Sequence, residues 1–530
     1  MLFNSLTFAV FFVLFFPLYW AAARWLRVQN ALVLAASYLF YGWWDERYLI
    51  LLIVTTVTDF LGGLGASGRP VEWKYPLKAL ALAWVASLLA LSVSLRESAW
   101  ILWWLAGFSV LVLVVVAVAR NQPVERRRKL FLASAITVNL GVLGFFKYFN
   151  FFAAQLATAM GSLGLSIHPF ILEVVLPVGI SFYTFQSMSY TIDNYRKQME
   201  PTDRLLEFAA YASFFPQLVA GPIERATRLL PQFSVQKHFS WEAVRSGAWL
   251  FTWGLYKKLV IADNISPIAN QIFATPQDYA STDLVVGLLA FAFQIYCDFS
   301  GYSDMARGLA RSIGYEISVN FRQPYLARTP SEFWQGWHIS LSTWLRDYLY
   351  IPLGGNRNGE LMTYRNLTIT MLLGGLWHGA KWTFVAWGAY QGLILVIYRL
   401  LRVDDWLPKR GSREPAAIAV NLVAWSVMFC LVLLGWLFFR AVDMTAVAAY
   451  YSGMARLTVG GGALWGTLLA YITPLIVVEL VQKFTGELEL LSRVPRFNHG
   501  IVSLTLKALM IYGLLFLAAE GGQQFIYFDF

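Results

Sequence analysis

The sequence predicts an all-α, polytopic membrane protein, and three observations carry that expectation. Of 530 residues, 58% are hydrophobic and only 14% charged, whereas soluble domains carry roughly one-quarter charged residues. The mean hydropathy is +0.55. Apolar runs of about twenty residues, the length that spans a bilayer as a helix, recur from end to end.

In chain order the runs fall at 6–23, 29–44, 47–66, 78–95, 99–119, 129–149, 170–188, 206–222, 246–263, 282–300, 367–378 with 382–400, 416–440, 462–481 and 501–519. Runs 170–188 and 367–378 are interrupted by Pro or Gly and read as re-entrant or half-helices. About eleven to fourteen spanning or re-entrant helices are expected. The first run has no Lys or Arg before it, so it reads as an uncleaved helix rather than a signal peptide. Residues 1–150 form a densely apolar transmembrane scaffold. Residues 151–400 form the expected catalytic core, with polar, aromatic and glycine residues within or beside the runs at 170–392, and 401–530 are C-terminal transmembrane helices behind the charged linker 401–415.

The formal charge is +10, but the cations follow the loops rather than forming a nucleic-acid stripe. Arg24 and Arg27 follow the first run, Arg69, Lys74 and Lys78 the third, and Arg120, Arg126, Arg127, Arg128 and Lys129 the fifth. The second and fourth loops hold only Arg47 and Arg96. The positive-inside rule then puts the odd loops in the cytoplasm and the N-terminus outside. The expected partner is a lipid bilayer, not nucleic acid.

Cys297 and Cys430 lie in apolar runs and read as small core residues. No Cys/His spacing suggests zinc, and no metal site is expected. The stretch 306–366 is the longest without a spanning run, with seven basic and four acidic residues. Its Glu332–Leu345 segment alternates aromatic and polar residues at helical spacing, as amphipathic helices at the cytoplasmic surface would. Five histidines occur in the chain. His378 lies in the apolar run Leu372-Leu373-Gly374-Gly375-Leu376-Trp377-His378-Gly379, where an ionisable group is costly and reads first as a functional site. His338 lies in the polar segment, after Trp337.

Several stretches together resemble one family. They are Tyr296-Cys297-Asp298-Phe299-Ser300-Gly301-Tyr302-Ser303-Asp304-Met305, Asn320-Phe321-Arg322-Gln323-Pro324-Tyr325, Trp337 through Tyr350, and Leu353-Gly354-Gly355-Asn356-Arg357. Leu176–Phe185, Phe215–Pro222 and Gly374–Ala380 join them. This set is similar to the membrane-bound O-acyltransferase (MBOAT) family, in its bacterial polysaccharide O-acetylating branch, alginate O-acetylation included. The resemblance is close over 170–400 and looser at Ala36–Tyr41.

The resemblance implies that His378 is the catalytic histidine and His338 the second motif histidine. Independently, transfer of an acyl group from a thioester to a hydroxyl needs a base that titrates near neutrality, as histidine does. His338 either positions the donor or anchors an interfacial helix. Asp298 and Asp304 either orient a catalytic group or cap helices and pair with Arg307 or Arg346. Arg322, Arg346 and Arg357 either meet the phosphates of coenzyme A or are ordinary positive-inside charge. Trp337, Asp347, Asn356 and Trp377 complete the supporting set.

Two features depart from the family pattern. Gln335-Gly336 stand where a basic pair usually precedes the first Trp-His motif, and 67–130 is longer than in compact members. The terminal run Gln523–Phe530 resembles general polysaccharide-modifying members. The resemblance further implies acetyl-CoA as donor, with no bound cofactor, and a bacterial inner-membrane location. It also implies a periplasmic SGNH-type acetyltransferase partner beside a polysaccharide synthase complex. The alternatives are D-alanyl transfer from a carrier protein to teichoic acid, or a transporter, which should show repeated halves and intramembrane carboxylates.

Overall fold

A computed structural model of the protein describes residues 1–91, 95–165, 168–172, 175–490, 500–519 and 525–526, with backbone alone at 95–99. Of the terminal run, only Phe525 and Ile526 are therefore described. The described chain is 76% helical and contains no strand. Seven of its helices are long and apolar enough to cross a membrane: Glu46–Ala66, Trp100–Arg120, Val124–Ser162, Ser281–Ser312, Trp382–Leu400, Pro415–Arg440 and Ala463–Thr485. Leu6–Ala21 and Gly500–Phe516 are shorter apolar helices. The protein is thus an all-α, multi-pass membrane protein.

Two expected runs are not single helices. The run 206–222 becomes Leu205–Ala212 and Phe215–Leu218, both largely buried. Pro216 has no N–H to continue a helix, and the Phe215 N–H donates to Ser37 Oγ at 3.1 Å. Of 170–188 only the latter part is helical, in Ile180–Tyr195, which begins after Gly179 at φ 75°.

The chain divides into two compact units, Met1–Val244 with Leu309–Ile317, and Arg245–Gly308 with Ser318–Phe530. In the first, buried Asp59 accepts hydrogen bonds from Thr191 Oγ1 at 2.7 Å and Asn139 Nδ2 at 2.8 Å. These tie Leu49–Ala66 to the helices Ile180–Tyr195 and Val124–Leu143. Between apolar helix faces, such polar contacts and close backbone approach supply the association that hydrophobicity supplies in water.

Two glycine-lined contacts organise the second unit. A Cβ on Gly254 would lie 2.4 Å from the Gly301 carbonyl oxygen, and one on Gly308 2.4 Å from that of Gly247. Helices Trp241–Tyr256 and Ser281–Ser312 therefore run antiparallel at backbone contact. In the same way a Cβ on Gly375 would lie 2.2 Å from the Phe384 carbonyl oxygen. This closes the hairpin of Glu360–His378 and Trp382–Leu400. His378 is the last residue of the first arm.

Candidate active site

His378 is 3% exposed. Its ring meets those of Trp377 at 5.0 Å, Trp387 at 5.1 Å and Phe439 at 5.1 Å, each edge-on. Trp387 comes from the second hairpin arm and Phe439 from Pro415–Arg440, so three helices enclose one imidazole. Trp436, one turn before Phe439, packs on Trp337 at 4.7 Å.

His338 is fully buried. It links Pro330–Gly336 to Ile339–Leu345 in the left-handed region, at φ 43°. A bulky residue held there costs about 1–3 kcal/mol unless its surroundings impose it. Asn320 imposes it. Its carbonyl accepts from Ile339 N at 2.9 Å, and its Oδ1 accepts from Ser340 N at 3.2 Å and Ser340 Oγ at 2.9 Å. Asn320 Nδ2 in turn donates to Ser303 Oγ at 3.3 Å. Replacing Asn320 by alanine should cost about 1–3 kcal/mol of stability through the orphaned backbone and hydroxyl groups. It should also lower the transfer rate, whereas Asn320→Asp keeps the acceptor and restores most of it. A thermal-unfolding and rate comparison of the two variants checks this; equal loss in both would remove the positioning role.

The His338 ring lies 4.7 Å from Phe299 and 6.0 Å from Trp377. Trp377 thus neighbours both imidazoles, and the two Trp-His pairs, distant in sequence, form one cluster. His338 therefore faces the protein interior rather than the membrane surface. The polar segment is amphipathic, turning Trp337, His338, Leu341, Trp344 and Leu345 inward and leaving Gln335 and Arg346 exposed. Burial pushes the His338 imidazole down to about 3, so it is neutral at physiological pH. Upstream, burial raises the Glu332 carboxyl but hydrogen bonds from Arg328 and Arg410 prevail and hold it at about 2. This clamp fixes the start of the helix that leads to Trp337.

The aspartates answer to lysines. Asp298 and Asp263 each form an ion pair with Lys258 Nζ at 2.9 Å. Asp304 accepts from Lys257 Nζ at 2.8 Å and from Arg307 at 3.3 Å, and Arg307 also meets Glu489 at 2.7 Å. Asp298 Oδ2 additionally accepts from Ile526 N at 2.7 Å. The expected Arg307 pairing is present for Asp304; Arg346 instead pairs with its neighbour Asp347 at 2.7 Å. Both lysines sit in a π-helical stretch, Lys257–Ala262. The extra residue of a π-bulge shifts helix register locally, here where consecutive lysines serve different carboxylates on Ser281–Ser312.

Arg322, Asn356 and Arg357 are exposed, and Arg357 donates to the Ile351 carbonyl at 3.3 Å. Trp337 is 1% exposed and stacks at 5.8 Å on Phe333 within the aromatic core. The Gln335-Gly336 departure has a local reason. A Cβ at Gly336 would lie 2.7 Å from the Arg322 carbonyl oxygen, so a lysine there would displace backbone.

Sequence reasoning missed Lys257, Lys258, Glu479, Asn320, Trp387, Trp436 and Phe439. The first three had a signal, being ionisable groups inside the apolar runs 246–263 and 462–481. Intramembrane carboxylates, not seen in the sequence, are in fact present: Glu479 accepts from the Tyr296 hydroxyl, and Asp298 and Asp304 are ion-paired. Cys430, expected in the core, is exposed.

A helical, multi-pass membrane chain that encloses two imidazoles within one aromatic cluster is built as an integral-membrane enzyme with a buried histidine centre. The chain belongs to the MBOAT, membrane-bound O-acyltransferase family, whose model matches residues 128–434; it is an O-acyltransferase. It is 40% identical over 458 residues to the probable alginate O-acetylase AlgI of Azotobacter vinelandii, covering 86% of this chain and 78% of that protein. It is 35% identical over 370 residues to the peptidoglycan O-acetyltransferase of Helicobacter pylori, covering 65% and 68%. A teichoic acid D-alanyltransferase of Streptococcus thermophilus is 29% identical over 253 residues, 44% of this chain and 58% of that protein.

Proposed function

We propose that this enzyme carries out membrane O-acetylation of a polysaccharide, taking acetyl from acetyl-CoA on the cytoplasmic side and delivering it outward. His378 is the general base. Its imidazole accepts the proton of the attacking hydroxyl as the C–O bond forms at the acetyl carbonyl. The C–S bond breaks, and the thiolate takes that same proton from the imidazolium, leaving as free coenzyme A and restoring the neutral base. The exposed Arg322, Arg346 and Arg357 receive the donor's phosphates, and Trp377 and His338 hold the base and exclude water. The hydroxyl belongs to the polymer or to a periplasmic SGNH-type partner working beside the polysaccharide synthase. The inner membrane, with the N-terminus outside, is the setting the loop charges favour.

The observation that carries this reading is the enclosure of His378 by Trp377, Trp387 and Phe439 at the closed end of a hairpin. Similarity to O-acetylating relatives over most of the chain favours acetyl over D-alanyl. Sidedness tests it. Labelled acetyl-CoA added outside inverted membrane vesicles should put ester-linked label on polymer or partner in the lumen, and right-side-out vesicles should give none. Equal labelling from both sides, or labelling that requires an aminoacylated carrier protein, would overturn the direction or the donor.

A further inference from the structure

An apolar groove of about 580 Å³ runs along the second unit, lined by Leu250, Trp253, Pro474, Val477, Val478 and Leu509 among others. Its walls are the helices Trp241–Tyr256, Ala463–Thr485 and Gly500–Phe516. At one end the walls touch: a Cβ on Gly513 would lie 2.6 Å from the Tyr256 ring. At the other end stand two cations and an indole. Lys507 Nζ lies over the Trp249 ring at 5.0 Å. Arg245, one turn before Trp249 and exposed, is the neighbouring charge that Lys507 feels, and it is of like sign.

Two neighbouring like charges beside the mouth of an apolar groove make a positive pair that an anion between them would neutralise. Among the described residues, no carboxylate lies within ion-pair distance of either. From Arg245 to Tyr256 the helix rises about 16 Å, the scale of an alkyl chain rather than of a compact ligand. The indole beside the cations marks the level of the bilayer interface, where tryptophan gathers and where a lysine extends its head past apolar neighbours. Cationic tip, indole and apolar trough reproduce in order the phosphate, interfacial and acyl portions of a lipid.

We propose that this groove is a binding site for one anionic phospholipid, with its phosphate between Arg245 and Lys507 and an acyl chain along Trp253 and Leu509. Juxtamembrane cations attract anionic lipid by an amount that corresponds to about fivefold in affinity each, about thirtyfold for two. The site lies apart from the histidine cluster and its function does not depend on the reaction assigned there.

The purified full-length protein in neutral detergent provides the test, by thermal-shift titration with phosphatidylglycerol and with phosphatidylcholine of the same acyl chains. Phosphatidylglycerol should bind about thirtyfold more tightly. Arg245→Gln alone should reduce that preference about fivefold, and Arg245→Gln with Lys507→Gln should abolish it while leaving phosphatidylcholine binding as it was. Leu509→Trp, which fills the groove, should weaken both lipids alike. Glycerol phosphate, a headgroup without a chain, should produce no shift. Equal affinity for the two lipids, a preference that survives the double substitution, or glycerol phosphate binding as tightly as the lipid would each overturn the assignment.

Discussion

Replacing His378 by alanine, at unchanged membrane abundance, is expected to lower acetyl transfer by about 10²–10⁴-fold, the usual contribution of a positioned general base. The loss should fall on kcat, because the proton moves only as the C–O bond forms and substrate binding precedes it. The surrounding rings belong to three helices and remain packed on one another: Trp387 with Trp436 at 6.2 Å, Phe384 with Phe439 at 4.9 Å. The fold should therefore survive the substitution with a small cavity. Ester-linked acetate on exported polysaccharide is the quantity to measure, together with the amount of polymer exported. Loss of acetate with normal export supports the base. Acetylation above half the wild-type level would remove His378 from the chemistry, and lost export with intact acetylation would turn the reading toward transport.

The second large effect belongs to stability. Lys258 is shared by Asp263 and Asp298, with side chains 6%, 2% and 3% exposed. Lys258→Met keeps the length of the side chain and removes the cation held by both carboxylates. Breaking a buried pair from one side costs about 3–5 kcal/mol, because the desolvated charge left behind loses its compensation. A strongly lowered unfolding temperature in detergent and reduced abundance in the membrane should result. Combining Lys258→Met with Asp263→Asn and Asp298→Asn removes the stranded charges as well and should recover much of the loss, since a buried ion pair and a neutral replacement are often near balance. An unchanged unfolding temperature in the single variant would show that the bridge contributes nothing net. The asparagine variants separate a structural role from a catalytic one: a triple variant that folds but does not transfer acetyl would place these carboxylates in the reaction path.

The helical, many-pass architecture was readable because a bilayer imposes it on any chain with this spacing of apolar runs. His378 stood out for a related reason, a titratable group in a stretch that otherwise avoids them. His338 was harder. Its neighbours Arg346 and Gln335 gave the segment a polar look, and only the folded register shows that Trp337, His338 and Trp344 share the inward face. The ion pairs hid behind distance, because Lys258 and Asp298 are joined by a glycine crossing that neither run displays by itself. Two adjacent lysines within an apolar run were nonetheless a legible warning. Trp436 and Phe439 carried no signal at all, being unremarkable aromatics in the most hydrophobic part of the chain.

The ring enclosure of His378 has a consequence for the economy of the donor. A base strong enough to activate an alcohol against a thioester activates water equally well, and water is far more abundant than any hydroxyl of a polymer. Rings on three sides leave the imidazole in surroundings where bulk water has no hydrogen-bonding foothold, and exclusion of water is what suppresses such side reactions. On the proposed mechanism, acetyl groups that enter would be committed to an acceptor presented from outside rather than lost to hydrolysis, and the enzyme would idle without draining the thioester supply.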